Sequence, residues 1–181
     1  MIFFAILAAL SFASLIAQEF IPPVAWLHGA HVLVLPVLMF YGAGALPYPG
    51  MLALAFISGI MVDAAVNTQV VDSQVEISLG WSILLYAALG AIMSGFRPLF
   101  QRGRWEVHCL MSGLFTSVIV LAEYLMVTVR RGGLVFPHEI WWRIGGSGLI
   151  AAMIAPIYFF TLNWLAPRVG YQIDAEKKGV N

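Results

Sequence analysis

Five side chains in this 181-residue chain have the types and positions that chemistry uses: Asp63, Glu123, His28, His31 and Arg143. Each falls in or beside an apolar stretch. An ionisable group inside a membrane span costs about 2.5–3.5 kcal/mol and usually faces the bundle interior or water. The chemistry open to the five is binding: a polar pocket or a partner-docking cleft. His28 and His31 are three apart, the spacing that puts two side chains on one helix face. As metal ligands they need further donors within reach, and no His-Glu-x-x-His motif is present. A Gly-x-Ser-x-Gly nucleophile signature and a phosphate-binding P-loop are also absent from the sequence. The expectation is a protein that is not an enzyme and carries no cofactor and no metal.

The elements that must position these residues are apolar helices. Hydrophobic residues make up 61% of the chain and charged residues 10%, against about 25% charged in soluble domains. Too little charge remains to solvate a water-facing surface. Mean hydropathy is +0.91. The formal net charge of zero argues against a nucleic-acid partner. Cys109 is the lone cysteine, so no intrachain disulfide forms.

A membrane core about 30 Å thick takes roughly 20 apolar residues per helix. The pattern predicts an all-α integral membrane protein with six transmembrane helices in a single domain over residues 1–181. The spans fall at about 2–17, 24–45, 51–66, 79–96, 105–129 and 140–165. The first stretch lacks the basic start of a signal peptide, since Glu19 is the first charge, and it reads as a span. Pro22-Pro23 ends it, and Pro36 is expected to kink the second span. In the polar connector 67–78, residues 68–71 and 75–77 are expected to pair as short strands.

Lys and Arg near span ends orient the chain. Arg97, Arg102, Arg104, Arg168, Lys177 and Lys178 lie on the side of the termini, and Arg130, Arg131 and Arg143 on the other. Both termini of this multi-pass membrane protein are therefore expected in the cytoplasm. With that topology Asp63, Glu123, His28, His31 and Arg143 converge on one polar layer near the outer face. Two readings stay open. The layer is a ligand pocket or docking cleft, or it is a set of groups that snorkel to water and tie helices together. Small residues along the fourth, fifth and sixth spans, such as Ala87, Gly113 and Gly148, read as internal packing ahead of an oligomer interface. The basic linker with Arg97, Arg102 and Arg104 reads as a topology anchor or as a cytoplasmic site for anionic membrane lipid or a partner.

Three features resemble one bacterial family, the rod shape-determining protein MreD. The first is Gly59-Ile60-Met61-Val62-Asp63 near the end of the third span. The second is Leu79-Gly80-Trp81-Ser82, which opens a span continuing Leu84-Leu85-Tyr86-Ala87-Ala88-Leu89-Gly90. The third is the basic linker 97–104 followed directly by another apolar span. The connector 67–78 departs from the pattern, being long and acidic. The resemblance implies a non-catalytic inner-membrane component of the elongation machinery that supports lateral peptidoglycan synthesis. Its implied partners are MreC, MreB, RodA and a class B penicillin-binding protein. It also implies a fold similar to the six-helix substrate-binding subunits of energy-coupling-factor transporters. A vitamin-binding subunit of such a transporter is the alternative expectation.

Overall fold

The structure is a computed structural model that describes residues 2–67, 80–97, 105–130, 132–133 and 136–171. Six α-helices occupy these residues: α1 (Ile2–Phe20), α2 (Leu35–Ala45), α3 (Tyr48–Asn67), α4 (Trp81–Gly95), α5 (Trp105–Arg130) and α6 (His138–Arg168). No strand is present among them. The strands expected at 68–71 and 75–77 lie outside the described residues. Helices α1, α3, α5 and α6 are each long and apolar enough to cross a membrane; α2 and α4 are apolar but shorter.

The sequence explains the helix ends. Pro22-Pro23 follows α1 at once and cannot continue it. Pro49 sits in the first turn of α3, where its missing N–H costs nothing. Gly80 takes a positive φ of 100° immediately before α4, a conformation glycine enters at little cost.

The second stretch departs from expectation. Helix was expected over 24–45, but α2 begins only at Leu35, and Pro36 initiates it rather than kinking it. A proline ring is preorganised for the first helical turn and clashes with a carbonyl four residues upstream. Upstream the chain makes a 3-10 turn at Ala25–Leu27 and a two-residue reversal. His28 at φ 51° and Gly29 at φ 80° both take the left-handed conformation. The turn satisfies its own backbone: Val24 N–H donates to Ala30 O, Gly29 N–H to Val24 O and Ala30 N–H to Leu27 O. Non-helical backbone near a membrane requires such internal satisfaction.

Helix α2 is the axle of the bundle. Ten of its eleven residues are buried, from Leu35 to Tyr41 and on through Gly42, Ala43 and Ala45. A helix that is apolar all round has to be surrounded; α1, α3, α4, α5 and α6 all pack against it. Helix α1 turns the stripe Phe3, Leu7, Ser11, Ser14 and Leu15 inward and leaves Ile2, Phe12 and Ile16 exposed.

Apolar surface gains little by leaving lipid for protein, so small residues decide which helices approach closely. The antiparallel pair α5 and α6 shows this. A Cβ on Gly113 would meet Gly148 O at 2.7 Å and Ala152 Cβ at 3.0 Å. The Ser117 hydroxyl donates to Ile144 O at 3.2 Å. These small residues are internal packing.

The two ends of the bundle are distinct. At the basal end Phe3 stacks on Tyr171 with ring centroids 4.4 Å apart. At the apical end lie the close of α3, the opening of α4, the close of α5 and the opening of α6. Exposed tryptophans mark both ends: Trp26, Trp141 and Trp142 apically, Trp105 and Trp164 basally. From Trp142 to Trp164, α6 rises roughly 33 Å at 1.5 Å per residue, which matches an aromatic belt at each face of the hydrocarbon core. Arg168 lies 3.2 Å above the Trp164 ring.

Candidate functional site

Asp63 lies in the last turns of α3, four residues after Gly59, so the two share a face. That face meets the opening of α4. A Cβ on Gly59 would stand 2.5 Å from Ile83 Cα and 2.6 Å from Ile83 N. Only glycine admits the α4 backbone there. The close approach carries the α4 amides to Asp63: Gly80 N–H donates to Oδ2 at 2.5 Å and Ser82 N–H to Oδ1 at 3.2 Å. The first amides of a helix lack intrahelical acceptors, and a carboxylate there also meets the positive end of the helix dipole. Asp63 is 2% exposed. It therefore acts on the apical surface by holding α3 and α4 together, with its own oxygens turned inward.

Glu123 continues the inward stripe of α5 formed by His108, Ser112, Phe115 and Ile119. It is partly buried. Tyr86 lies one turn after Ser82 on the buried face of α4 and is 2% exposed. The register set by Ser117 against Ile144 puts Glu123 near the level of Ile140, close to the apical tryptophans. Asp63 and Tyr86 are thus buried and Glu123 partly buried, one on each of three helices.

His28, His31 and Arg143 form a separate outer rim. All three are exposed. Arg143 Nε donates to Gly29 O at 3.4 Å, and the His28 ring lies 6.1 Å from Trp142. The shared helix face expected for His28 and His31 does not form, because the left-handed backbone at His28 and Gly29 reverses the chain between them. The single polar layer divides accordingly. Its members gather at one end of the bundle, yet no hydrogen bond or ion pair joins Arg143 to Asp63 or Glu123 among the described residues. No group of three or more His, Cys, Asp and Glu that could hold a metal occurs among them either.

At the basal end Arg97 is built into the fold. Its guanidinium donates through Nε to Gly44 O at 3.0 Å and through Nη2 to Leu46 O. The Tyr171 hydroxyl donates to Ala45 O at 2.8 Å. The closing carbonyls of α2 would otherwise be orphaned inside the bundle, and a cation suits the negative end of a helix. The linker site expected from Arg97, Arg102 and Arg104 therefore loses Arg97 to this cap. Arg102 and Arg104 lie outside the described residues.

Sequence reasoning missed two participants. Tyr86 stood inside a quoted motif without a role, and its four-residue spacing from Ser82 was the available signal. His108 is 4% exposed among the rings of Phe40, Tyr41 and Phe159, at centroid distances of 4.7, 5.9 and 4.9 Å. Nearby, the Tyr41 hydroxyl donates to Asn163 Oδ1 at 2.9 Å. Nothing in the spacing of these residues announces that cluster. No family model matches the chain, and neither a curated protein nor a solved structure does.

Proposed function

We propose that this chain is a non-catalytic, MreD-like component of a bacterial elongation complex, which supports lateral peptidoglycan synthesis by docking partner proteins at its apical end. One observation carries the reading. The two stretches that bear the resemblance, residues 59–63 and residues 79–82, meet in a single junction, where Gly59 admits α4 and Asp63 holds the amides of Gly80 and Ser82. A motif pair that forms one mechanical unit is better grounded than two short apolar matches read separately. In this reading the chain crosses the inner membrane six times, with α2 and α4 as short crossings, and both termini are cytoplasmic. The fold is then of the kind used by energy-coupling-factor substrate-binding subunits. The apical end faces outward and receives an MreC-like protein, with MreB, RodA and the class B penicillin-binding protein completing the assembly.

Depleting the protein from its own rod-shaped host is the test. The expected result is cells that widen and round, with loss of lateral peptidoglycan labelling. A variant Asp63→Ala inserts into the membrane and supports shape poorly. Cells that keep their shape and lose uptake of a vitamin would replace this reading with a transporter subunit.

A further inference from the structure

An arginine carries several N–H donors that need acceptors. Arg97 gives its own to the closing carbonyls of α2, and Arg143 donates to Gly29 O. Arg168 differs from both. It closes α6 and is exposed. A basic residue in a last helical turn often bonds the final carbonyls, but backbone amides already serve those of α6. Val169 N–H donates to Ala166 O at 3.2 Å, Gly170 N–H to Pro167 O at 3.1 Å and Tyr171 N–H to Ala166 O at 2.9 Å. Arg168 makes no hydrogen bond and no ion pair among the described residues. Glu106 opens α5 at the same end without pairing to it.

What Arg168 does contact is a ring: its guanidinium lies 3.2 Å above Trp164. Contact through the flat face leaves the in-plane N–H donors open and holds the cation in place before any ligand arrives. Phe160, Trp164 and Arg168 are four apart and run along one side of α6. Trp105 of α5 joins that row, its ring 6.2 Å from Phe160. All three rings are exposed, and exposed Ile157 and Met153 continue the row toward the middle of the bundle. Arg168 stands roughly 6 Å beyond Trp164 at 1.5 Å per residue. Tryptophans at a membrane face mark the headgroup level. The cation is therefore at the level of lipid phosphates, with apolar surface directly beneath it.

We propose that this side of α5 and α6 holds one anionic phospholipid in the basal leaflet. Arg168 takes its phosphate, and Trp105, Phe160 and Trp164 cover its glycerol and upper acyl chains. The unpaired charge selects an anion. The apolar row selects a lipid over free phosphate, which would leave the rings uncovered. Bound there, the lipid ties the longest helix of the bundle to one leaflet. The contact is independent of which partner docks at the apical end.

The test uses the full chain purified in mild detergent as wild type, Arg168→Gln and Arg168→Lys. Phosphatidylglycerol, phosphatidylcholine or inorganic phosphate is added to each. Native mass spectrometry counts the retained lipids, and the thermal midpoint is read with and without each addition. The expected result is one phosphatidylglycerol retained by wild type, with a larger gain in midpoint than phosphatidylcholine gives. Arg168→Gln is expected to retain it roughly fivefold less, with a lipid-free midpoint close to wild type, and Arg168→Lys to fall between. Equal retention by wild type and Arg168→Gln would overturn the site, and a lowered lipid-free midpoint in that case would assign Arg168 to packing on Trp164. Equal gains from the two lipids would also overturn it, leaving only hydrocarbon cover. A gain from inorganic phosphate as large as that from phosphatidylglycerol would contradict the choice of a lipid.

Discussion

The carboxylate of Asp63 sits 2.5 Å from the amide nitrogen of Gly80, seventeen residues further along the chain. A side chain from one helix thereby caps the next, a task an N-cap residue ordinarily performs for its own helix. The consequence is mechanical. The apical end of α3 and the start of α4 are fixed to each other whatever connects them.

Replacing Asp63 with Ala leaves the Gly80 and Ser82 amides without an acceptor in a buried position. Hydrogen bonds to a charged group contribute about 1.5–3 kcal/mol, so a clear drop in thermal midpoint is expected in detergent. Asp63→Asn keeps one carbonyl oxygen and loses less. Hydrogen exchange read by mass spectrometry is expected to show faster exchange confined to the opening of α4. A drop in midpoint with unchanged exchange there would point to a different cause.

Gly59→Ala drives a methyl group into the Ile83 backbone. Backbone cannot yield as a flexible side chain does, and overpacking costs about 1–3 kcal/mol. Gly44, by contrast, has nothing within 4 Å of an added Cβ, and Gly44→Ala is expected to leave the melting curve nearly unchanged. Side-by-side melts of the two variants check this pair.

At the basal end, Tyr171→Phe removes the hydroxyl bonded to Ala45 O but preserves the ring stacked on Phe3. A loss of about 1 kcal/mol is expected. Arg97→Ala strips two carbonyl partners from α2 and costs more. Because both residues cap one helix end, their effects are expected to be non-additive in a double-mutant cycle. Strict additivity would mean that the two caps act independently.

The sequence made the helices legible because composition and hydropathy dominate membrane folding. Asp63 was legible as a costly charge, and Gly59 as its companion. Their partners were not, since the atoms Asp63 binds are backbone amides that any residue carries. The histidine spacing misled: His28 and His31 fit one helical face by number alone, while Gly29 between them and Pro36 downstream favour a turn and a later helix start. Arg97 read as a topology anchor because nothing in its spacing reveals that α2 ends beside it. Glu123 was legible as an acid inside a span, but how far it is buried depends on how the helices approach each other.

The most direct measurement is affinity purification of the tagged wild-type chain in mild detergent, with mass spectrometry of proteins and small molecules together. The account predicts recovery of an MreC-like protein with peptidoglycan synthases. Recovery of a vitamin together with transporter ATPases would contradict it and make the apical end a substrate pocket.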